Sequence, residues 1–509
     1  MTIRNHHRSI VRATALFALA WLGLSLAACK VNDHDVETWK GTVKGPSKMV
    51  AVMLADKYDI PLRTHAALAL VAMDRQDVDG VAELQQAMQA LEGKVRDAIL
   101  DGLAPGLVAQ MEQKPSQEEA DSDVETGPPP HQVRAKDAAF LLIPMATPKT
   151  KALLTNAVMD WYVEDFNGRN LSGNFSAEQV IRALGAPAAQ KLVDALNAKL
   201  PQQALIKLAE LIGQLGGTKT RANAAKKLVA IEQEMNSPAY VKWLSDQIHQ
   251  QLAAAGAKVD EARVQKMVAL NQASFVEGAA IPAMKYLASE PVVAERLLAI
   301  AETKDEALTT RRTRALMALE GSAKPEQLDR LLALALDAEA PVPVRDYAFD
   351  RVGDLKDPRA IPPMWPLVQN SEDQRLRWRA GEMVLAIGGP TIVPEFFKNL
   401  PAAPDTPYEP EELEGYATRM GQMSPLPDQL VRSKLASSHW WDQVIALRYL
   451  QRKGTLADVP SMEHLKGQQT PVVGEHWEGV KNVGMVAEAA VAGLRERIKQ
   501  ADAAKNNAS

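Results

Sequence analysis

The sequence contains a single cysteine in 509 residues, so no disulfide can form within one chain. Aromatic residues make up only 5% of it, while hydrophobic residues make up 46%. The core must therefore consist of Ala, Leu, Val, Ile and Met, a mixture that favours helices over strands. The net charge of −5 provides no basic surface and argues against nucleic acid binding. The chain is too long for one compact core, so it forms either several domains or a repeat array.

Signatures of catalysis and of metal binding are also missing. The nine histidines are scattered, without the H-E-x-x-H spacing of a zinc hydrolase, and no G-x-S-x-G nucleophile turn is present. Asn32-Asp33-His34-Asp35 could bind a metal weakly, although a solvated tether explains these residues better. The sequence therefore predicts no metal, no cofactor and no enzyme activity.

The N-terminus has the pattern of an export signal. Arg4, Arg8 and Arg12 precede an apolar run from Ala13 to Leu26, which at about 14 residues suits a signal peptide. A membrane span needs about 20 residues. The run ends in Leu26-Ala27-Ala28-Cys29, so the only cysteine follows two small residues.

This ending resembles the lipobox of bacterial lipoproteins. The resemblance implies that Cys29 receives a diacylglyceryl group, that residues 1–28 are removed, and that lipid holds the mature chain on a membrane. The alternative is an ordinary signal peptide with a cysteine present by chance. In Gram-negative lipoproteins an aspartate after the cysteine favours the inner membrane. Lys30 stands there, which implies the outer membrane in a Gram-negative cell, on its periplasmic or surface face.

An internal repeat is clearest between Val344–Met364 and Leu376–Phe396, which align without a gap at a shift of 32 residues. Ala348 aligns with Ala380, and an Asp-Pro or Gly-Pro pair follows in each copy. Within the first copy, positions 344, 348, 352 and 355 share one helical face. A helix pair of this kind cannot bury its face alone, so such pairs stack on one another.

These repeats lack the signatures of ankyrin and tetratricopeptide repeats, and they resemble short HEAT-like repeats. The resemblance implies an all-α fold, an α-solenoid of HEAT-like helical repeats that is used mostly for protein–protein contacts. The predicted segments follow from breaks in the pattern. They are a signal peptide (1–28), a tether (29–46), N-terminal helical repeats (47–111), a disordered acidic and Pro-rich loop (112–132), the main repeat array (133–400), a Pro-rich extended excursion (401–429), C-terminal helical repeats (430–500) and a polar tail (501–509).

Two sets of residues are candidates for partner binding. Arginines recur at one step of the repeat and could contact an acidic partner, but a structural role between neighbouring repeats is favoured; they are Arg63, Arg96, Arg312, Arg345 and Arg377. Trp365 and Phe397 share a repeat position and are assigned to the core. Trp440 and Trp441 differ, because adjacent helical residues point about 100° apart. Either one of them is an exposed anchor for a partner or both belong to the core.

The sequence thus predicts a membrane-anchored envelope lipoprotein that serves as a scaffold or adaptor for an unknown envelope protein. Two alternatives remain, an enzyme of the bilin-lyase type and a carrier of apolar cargo in the solenoid groove. Pigment absorbance or lipid extracted from the purified protein would distinguish these alternatives from a scaffold.

Overall fold

The computed structural model describes residues 31–73, 78–113, 127–256, 260–370, 373–401 and 407–508. Cys29 and the predicted signal peptide lie outside these residues. Within them the chain consists of helices and no strand, with one isolated bridge between Pro471 and Asn482. No helix in these ranges is both long and apolar enough to span a membrane. The predicted all-α solenoid of helical repeats is confirmed.

The chain divides into two compact units, residues 1–227 and 228–509. The helices that begin in the first unit are α1 Asp33–Trp39, α2 Gly45–Leu54, α3 Ile60–Ala72, α4 Gly80–Ala90, α5 Gly93–Glu112, α6 Pro130–Leu142, α7 Pro148–Glu164, α8 Phe166–Arg169, α9 Ala177–Leu184, α10 Ala186–Ala195, α11 Gln202–Leu215 and α12 Thr218–Met235, with a 3₁₀ turn at Ile143–Met145. Each helix packs on near neighbours in the sequence: α3 contacts α2, α4 and α5, and α7 contacts α5, α6 and α10.

The second unit continues the same plan. Its helices are α13 Pro238–Ala254, α14 Glu261–Phe275, α15 Ile281–Met284, α16 Pro291–Ala301, α17 Thr309–Ala318, α18 Leu328–Leu336, α19 Val342–Leu355, α20 Ile361–Asn370, α21 Gln374–Gly388, α22 Val393–Asn399, α23 Pro410–Gly421, α24 Asp428–Ser433, α25 Trp440–Lys453, α26 Val459–Glu463 and α27 Val483–Ala508. Short segments join them, a π turn at Val276–Ala280 and 3₁₀ turns at Lys285–Leu287, Glu306–Leu308, Pro325–Gln327, Pro358–Ala360, Gly389–Ile392, Lys434–Ala436, Leu456–Asp458 and His464–Gly467.

From α15 onward these helices alternate between two layers. The odd-numbered helices pack on one another in order, from α15 through α17, α19, α21, α23 and α25 to α27. Among the even-numbered helices, α16, α18, α20, α24 and α26 each also pack on the odd-numbered helix that follows. Because these contacts join helices that are adjacent or next but one in the sequence, the unit is a stack of helix pairs, as expected for a repeat protein.

The sequence repeat corresponds to two of these pairs. Helices α19 and α21 begin 32 residues apart, as do α20 and α22. Ala348 and Ala380 are both fully buried, which confirms the predicted inner face of the first helix. The break between the helices lies at Lys356, whose φ of 51° ends α19, and at Asp357, whose carboxylate accepts a hydrogen bond from the Arg359 N–H.

The segment predicted as a tether is instead folded from residue 33 onward. Asn32 caps α1 through a capping box with Asp35, and Val36 is fully buried. Helix α1 packs on α2 and α3. The tether prediction over 29–46 is therefore wrong for residues 33–46, because acidic residues in a first helical turn stabilise the helix as well as solubilise it.

The proline-rich segment 401–429 is not an extended excursion throughout. Pro410 occupies the first turn of α23, where a missing N–H has no helical partner to lose. The prediction counted prolines without their helix positions. The segment predicted as a polar tail begins within α27, which continues to Ala508, and residues 501–504 are exposed.

The predicted loop at 112–132 is helical at both ends. Glu112 ends α5, and α6 begins at Pro130, so that His131 and Gln132 are helical. Gln132 is buried, and its side chain bonds the Gln113 carbonyl and the Trp161 indole. The remaining part of this prediction, residues 114–126, lies outside the described residues.

Histidine 65 joins α1 to α3. Its Nδ1 lies 2.6 Å from Asp33 Oδ1 and its Nε2 lies 2.7 Å from Glu37 Oε1. Only the imidazolium form donates from both nitrogens. Burial by itself lowers the pKa of His65, but the hydrogen bonds to Asp33 and Glu37 outweigh burial, so the pKa lies above its ordinary value.

We expect the docking of α1 to weaken as the pH rises. Because the pKa of His65 is raised in the folded state, the protonated ring stabilises the fold fully at pH values below the ordinary histidine pKa of about 6.5. This stabilisation is lost as the pH rises through the folded-state pKa. The Asp33 and Glu37 side chains are 74% and 48% exposed, so the effect stays below about 1 kcal/mol. Hydrogen exchange of residues 33–39 measures it, after correction for the intrinsic pH dependence of exchange. His65→Gln should remove the pH dependence, and equal protection of the wild type at about pH 6 and pH 9 would contradict the prediction.

Candidate protein-binding site

The two tryptophans predicted from the sequence lie at the start of α25, immediately after the N-cap residue His439. Trp441 is only 6% exposed, and Trp440 is half-buried. Neither ring is fully exposed, so the idea of an exposed anchor is wrong for Trp441. Trp440 retains part of its surface in solvent and is the member of the pair that a partner can reach.

Trp440 is the centre of an aromatic cluster formed by Tyr408, Trp440, Trp441 and Trp477. The Trp440 ring centroid lies 6.2 Å from that of Tyr408, 5.8 Å from that of Trp441 and 5.8 Å from that of Trp477. The three interplanar angles are 82°, 81° and 77°. Edge-to-face pairs of this kind are favoured by the ring quadrupoles. The four rings therefore pack in a specific edge-to-face geometry around Trp440.

Trp477 reaches the cluster from a hairpin of residues 470–483, which we call the Trp477 hairpin. The backbone pairs at its base, where the Val472 N–H donates to the Lys481 carbonyl (3.2 Å) and the Val483 N–H to the Thr470 carbonyl (3.0 Å). Trp477 is 8% exposed, and its indole N–H donates to the Tyr408 carbonyl at 2.9 Å. The hairpin thus covers one side of Trp440.

Glu409 holds the tip of the Trp477 hairpin. Its carboxylate is buried and accepts hydrogen bonds from the backbone N–H groups of Glu475 (2.8 Å) and His476 (3.0 Å). The His476 ring lies 3.3 Å from the same carboxylate. Tyr408 and Glu409 are adjacent, so one short segment before α23 binds both the indole and the backbone of the hairpin tip.

A buried ion pair sets the position of that segment. Arg377 on α21 and Glu412 on α23 are both fully buried and form a bidentate pair with distances of 2.8 and 2.7 Å. Arg377 also donates to the Pro407 carbonyl at 3.0 Å, and its guanidinium lies 4.8 Å from the Tyr408 ring centroid. The cluster is therefore built on charged groups that are themselves satisfied.

Two buried polar atoms in the first turn of α25 have no hydrogen-bond partner among the described residues. They are the indole nitrogen of Trp441 and the Oδ1 atom of Asp442. The other carboxylate oxygen of Asp442 accepts from Ser437 Oγ at 2.9 Å. Buried polar groups are usually paired, and a few similar unpaired atoms occur elsewhere among the described residues, such as the Tyr240 hydroxyl and the Trp378 indole nitrogen.

A cleft of about 720 Å³ lies in the same unit and includes residues on α24, α25 and α26. Gln443 on α25 connects the cleft to the aromatic cluster. It lines the cleft, and its side chain bonds the Ser437 carbonyl (2.8 Å) just before the two tryptophans. Gln468, which also lines the cleft, donates to Gln443 at 2.9 Å and stands just before the Trp477 hairpin. The cleft is lined by Arg432, Ser433, Leu435, Ala436, Gln443, Asp458, Pro460, Ser461, His464, Leu465 and Gln468.

The chemistry of the cleft is polar and balanced in charge. Arg432 pairs with Asp458, whose Oδ1 lies 2.6 Å from Nε of the arginine. Burial alone would raise the pKa of Asp458, but hydrogen bonds from Arg432 and Thr455 outweigh burial, so its pKa lies below its ordinary value. Ser461 and His464 are exposed at the surface of the cleft. The cleft thus offers hydrogen-bond donors and acceptors without a net charge, which suits the N–H and C=O groups of a peptide backbone.

The recurring arginines mostly take the structural role that the sequence favoured. The Nε atom of Arg63 donates to the Met53 carbonyl at 2.7 Å, and that of Arg312 to the Ala301 carbonyl at 2.9 Å. Both carbonyls lie at the C-terminal end of the preceding helix, so each arginine caps that helix end. Arg96 and Arg345 are half-buried, with no hydrogen-bond partner for Nε among the described residues.

Other predictions have mixed outcomes. Phe397 is buried, as predicted, whereas Trp365 is half-buried, because Met364 and Val368 occupy the inner face of α20 instead. His34 is exposed and Asp33 pairs with His65. The described residues contain no group of three or more acidic, histidine or cysteine side chains that could hold a metal.

Sequence reasoning missed Tyr408, Glu409, Trp477 and the cleft. Tyr408 and Glu409 lay in the segment interpreted as an excursion, and Trp477 lay in a stretch without helical periodicity. The turn residues around Trp477, Gly474 and Gly479, both have positive φ and were the one available signal for a hairpin.

Comparison with known proteins does not identify a family. No family model matches the sequence, and no curated protein matches it. A crystal structure of Kap121p matches with a TM-score of 0.40 and 12% identity over 88% of this chain and 49% of that chain. Kap121p bound to RanGTP gives a TM-score of 0.32 and 14% identity over 94% and 47%. Importin beta gives a TM-score of 0.25 and 12% identity over 88% and 63%. This chain thus spans about half the length of the Kap121p chains that it matches.

Proposed function

We propose that this protein is a lipid-anchored envelope scaffold that binds a segment of another protein at the cleft and the adjoining aromatic cluster. The observation that carries the proposal is the junction of the two features at the start of α25, where Gln443 lies in the cleft and bonds the backbone just before Trp440. A partly solvent-exposed tryptophan beside a polar cleft has the composition of an interface hot spot.

The polar groups of the cleft favour a peptide over a small charged ligand. Arg432 and Asp458 neutralise each other, so neither an anion nor a cation gains strongly from entering. Ser461 and His464 are exposed at the surface of the cleft, and their side chains can bond the N–H and C=O groups of an extended chain. An aromatic anchor at Trp440 then supplies apolar contact at one end.

The anchor is proposed from the sequence around Cys29, which resembles a lipobox. Acyl chains contribute about 0.8 kcal/mol per buried CH₂, so several chains give firm attachment. Lys30 supports the outer membrane in a Gram-negative cell. We expect the wild type to incorporate radioactive palmitate and Cys29→Ser to incorporate none and to retain residues 1–28. Absence of label in the wild type would contradict the anchor, whatever the cleft binds.

Partner binding is tested by site-directed cross-linking in the native envelope. A photo-reactive amino acid at Ser461, which is exposed in the cleft, should capture a defined protein. Truncating a hot-spot aromatic costs about 2 kcal/mol or more, so we expect Trp440→Ala to reduce the captured yield severalfold. The measurement is the intensity of the cross-linked band at equal protein level.

Two matched controls accompany this experiment. The same photo-reactive residue at Gln89, exposed on α4 in the other unit, should not capture that protein. Trp365→Ala removes a half-buried tryptophan from α20 and should leave the yield at Ser461 unchanged. Equal capture from Ser461 and Gln89, or equal loss with both tryptophan variants, would contradict binding at the cleft.

A further inference from the structure

The Trp477 hairpin is attached to the rest of the unit mainly through its tip and its base. At the tip, the indole N–H of Trp477 and the backbone N–H groups of Glu475 and His476 all donate to Tyr408 and Glu409. At the base, the Gly484 N–H donates to the Gln468 carbonyl. Between these points the side chains are largely exposed, with Val473 at 53%. The Trp477 indole and the Glu409 carboxylate therefore provide most of the contacts that attach the hairpin tip.

The surface beneath the hairpin carries features expected of a binding site. Trp477 covers Trp440, the residue best placed to contact a partner. In the first turn of α25, Trp441 and Asp442 each have a buried polar atom without a hydrogen-bond partner in the part of the chain that the structure describes. The closed arrangement thus leaves hydrogen-bonding capacity unused at the point where the cluster meets α25.

We infer that the Trp477 hairpin occupies, within its own chain, the docking position of a partner's aromatic turn, and that the partner binds by displacing it. This inference rests on the proposed function and specifies its partner. Displacement of Trp477 exposes the edges of Trp440 and Tyr408 without moving α23, which the Arg377–Glu412 pair fixes on α21. The cluster is then a site that is closed until a competing turn arrives.

The hairpin shows which chemistry the partner must have. The Tyr408 carbonyl and the Glu409 carboxylate are both acceptors, so the partner must bring donors. The position of His476 near Glu409 favours a basic or neutral polar residue beside the aromatic one. The matching partner is a tight turn of another protein that presents a tryptophan, two free backbone N–H groups and a neighbouring basic residue.

The probe for this inference is a fluorescent synthetic peptide of residues 470–483, TPVVGEHWEGVKNV, added to the full chain. If the closed form is at least about 90% populated, it weakens the apparent affinity of the wild type by about tenfold or more. We therefore expect Trp477→Ala to bind the peptide about tenfold more tightly than the wild type does. The same peptide with alanine in place of its tryptophan should bind neither protein.

A second variant protects the test against misfolding. Glu409→Gln keeps Trp477 and replaces an acceptor of two N–H groups by an amide with one acceptor oxygen, so it loosens the tip and should expose residues 474–479 to limited proteolysis. The matched control is Trp365→Ala, whose peptide affinity should equal that of the wild type. The peptide should also bind Glu409→Gln more tightly than wild type, though less than Trp477→Ala because part of the carboxylate site is lost.

Three results would overturn the inference. One is equal peptide affinity for the wild type, Trp477→Ala and Trp365→Ala. Another is no binding to a Trp477→Ala protein whose circular dichroism and melting temperature match those of Trp365→Ala. The third is a stable dimer of the wild type that dissociates in Trp477→Ala, because the hairpin would then be exchanged between two copies. Cross-linking from Ser461 in the native envelope would still test the proposed function in each case.

Discussion

Replacing Arg377 by leucine should destabilise the second unit by about 3–5 kcal/mol, the cost of leaving a buried carboxylate without its partner. Glu412 has no exposed surface and takes both of its strongest hydrogen bonds from Arg377. Tyr416 donates a further bond to Glu412 at 2.9 Å, but a neutral hydroxyl does not balance the charge. The measurement is the free energy of unfolding from urea titration, followed by a probe confined to residues 228–509.

The double variant Arg377→Leu with Glu412→Leu distinguishes an unpaired charge from lost packing. Removing both charges should recover much of the stability, since buried ion pairs often contribute little relative to apolar residues of similar volume. The control is Arg375→Leu, whose partner Asp346 and own side chain lie nearer the solvent. It should change stability by about 0.5 kcal/mol or less. Equal effects of Arg375→Leu and Arg377→Leu would show that the buried pair has no special role.

The Arg377 variant should also affect the aromatic cluster. The guanidinium donates to the Pro407 carbonyl and lies over Tyr408, and the Tyr408 carbonyl accepts from Trp477. If this succession of contacts positions the hairpin, residues 474–479 become sensitive to proteolysis at denaturant concentrations that leave the unit folded. The cluster and the stability of the unit are then linked through one side chain.

The repeat architecture could be predicted because it depends on local spacing. Ala348 and Ala380 occupy equivalent buried positions, and their neighbours recur with helical periodicity. Asp357 and Pro358 mark the end of α19 by turn chemistry that is visible in the sequence. Where both signals coincide, a single sequence determines the helix pair and the face that it buries.

Apart from Trp440 and Trp441 the site could not be predicted, because its contacts are long-range and lack a period. Glu409 and the Glu475 N–H that it binds are 66 residues apart, and nothing in either segment indicates the other.

Proline also has opposite meanings in two contexts. Pro410 begins α23, yet its frequency around position 401–429 suggested an extended chain. Composition without position therefore misplaced the segment that carries Tyr408 and Glu409.

In the first unit, an equally large effect is expected at Lys136, which no sequence signal identified. Lys136 on α6 has no exposed surface, and its ammonium group pairs with the buried carboxylate of Asp137. It also donates to the carbonyls of Ser172 (2.9 Å) and Phe175 (3.1 Å). Burial lowers the pKa of Lys136, and the hydrogen bond from Lys136 to Asp137 partly opposes this effect.

Lys136→Met removes all three donations while keeping most of the side-chain volume. Asp137 retains the hydrogen bond from the Asn174 N–H at 2.8 Å but loses its only close cation among the described residues, so we expect a loss of about 3–5 kcal/mol in unfolding free energy. The segment 172–175 also loses its two hydrogen bonds from Lys136 on α6. Hydrogen exchange of those residues should therefore increase even where the unit remains folded.

Two further variants separate the charge from the contacts. Lys136→Met combined with Asp137→Asn removes the unbalanced charge and should recover part of the stability, but it should not restore the protection of residues 172–175, because the two carbonyls still lack a donor. Lys149→Met, at an exposed position on α7, should change stability by about 0.5 kcal/mol or less. If Lys136→Met behaves like Lys149→Met, the ammonium group is not what holds this segment on α6. If the double variant restores protection, the charge of Asp137 and not the lost donors releases the segment.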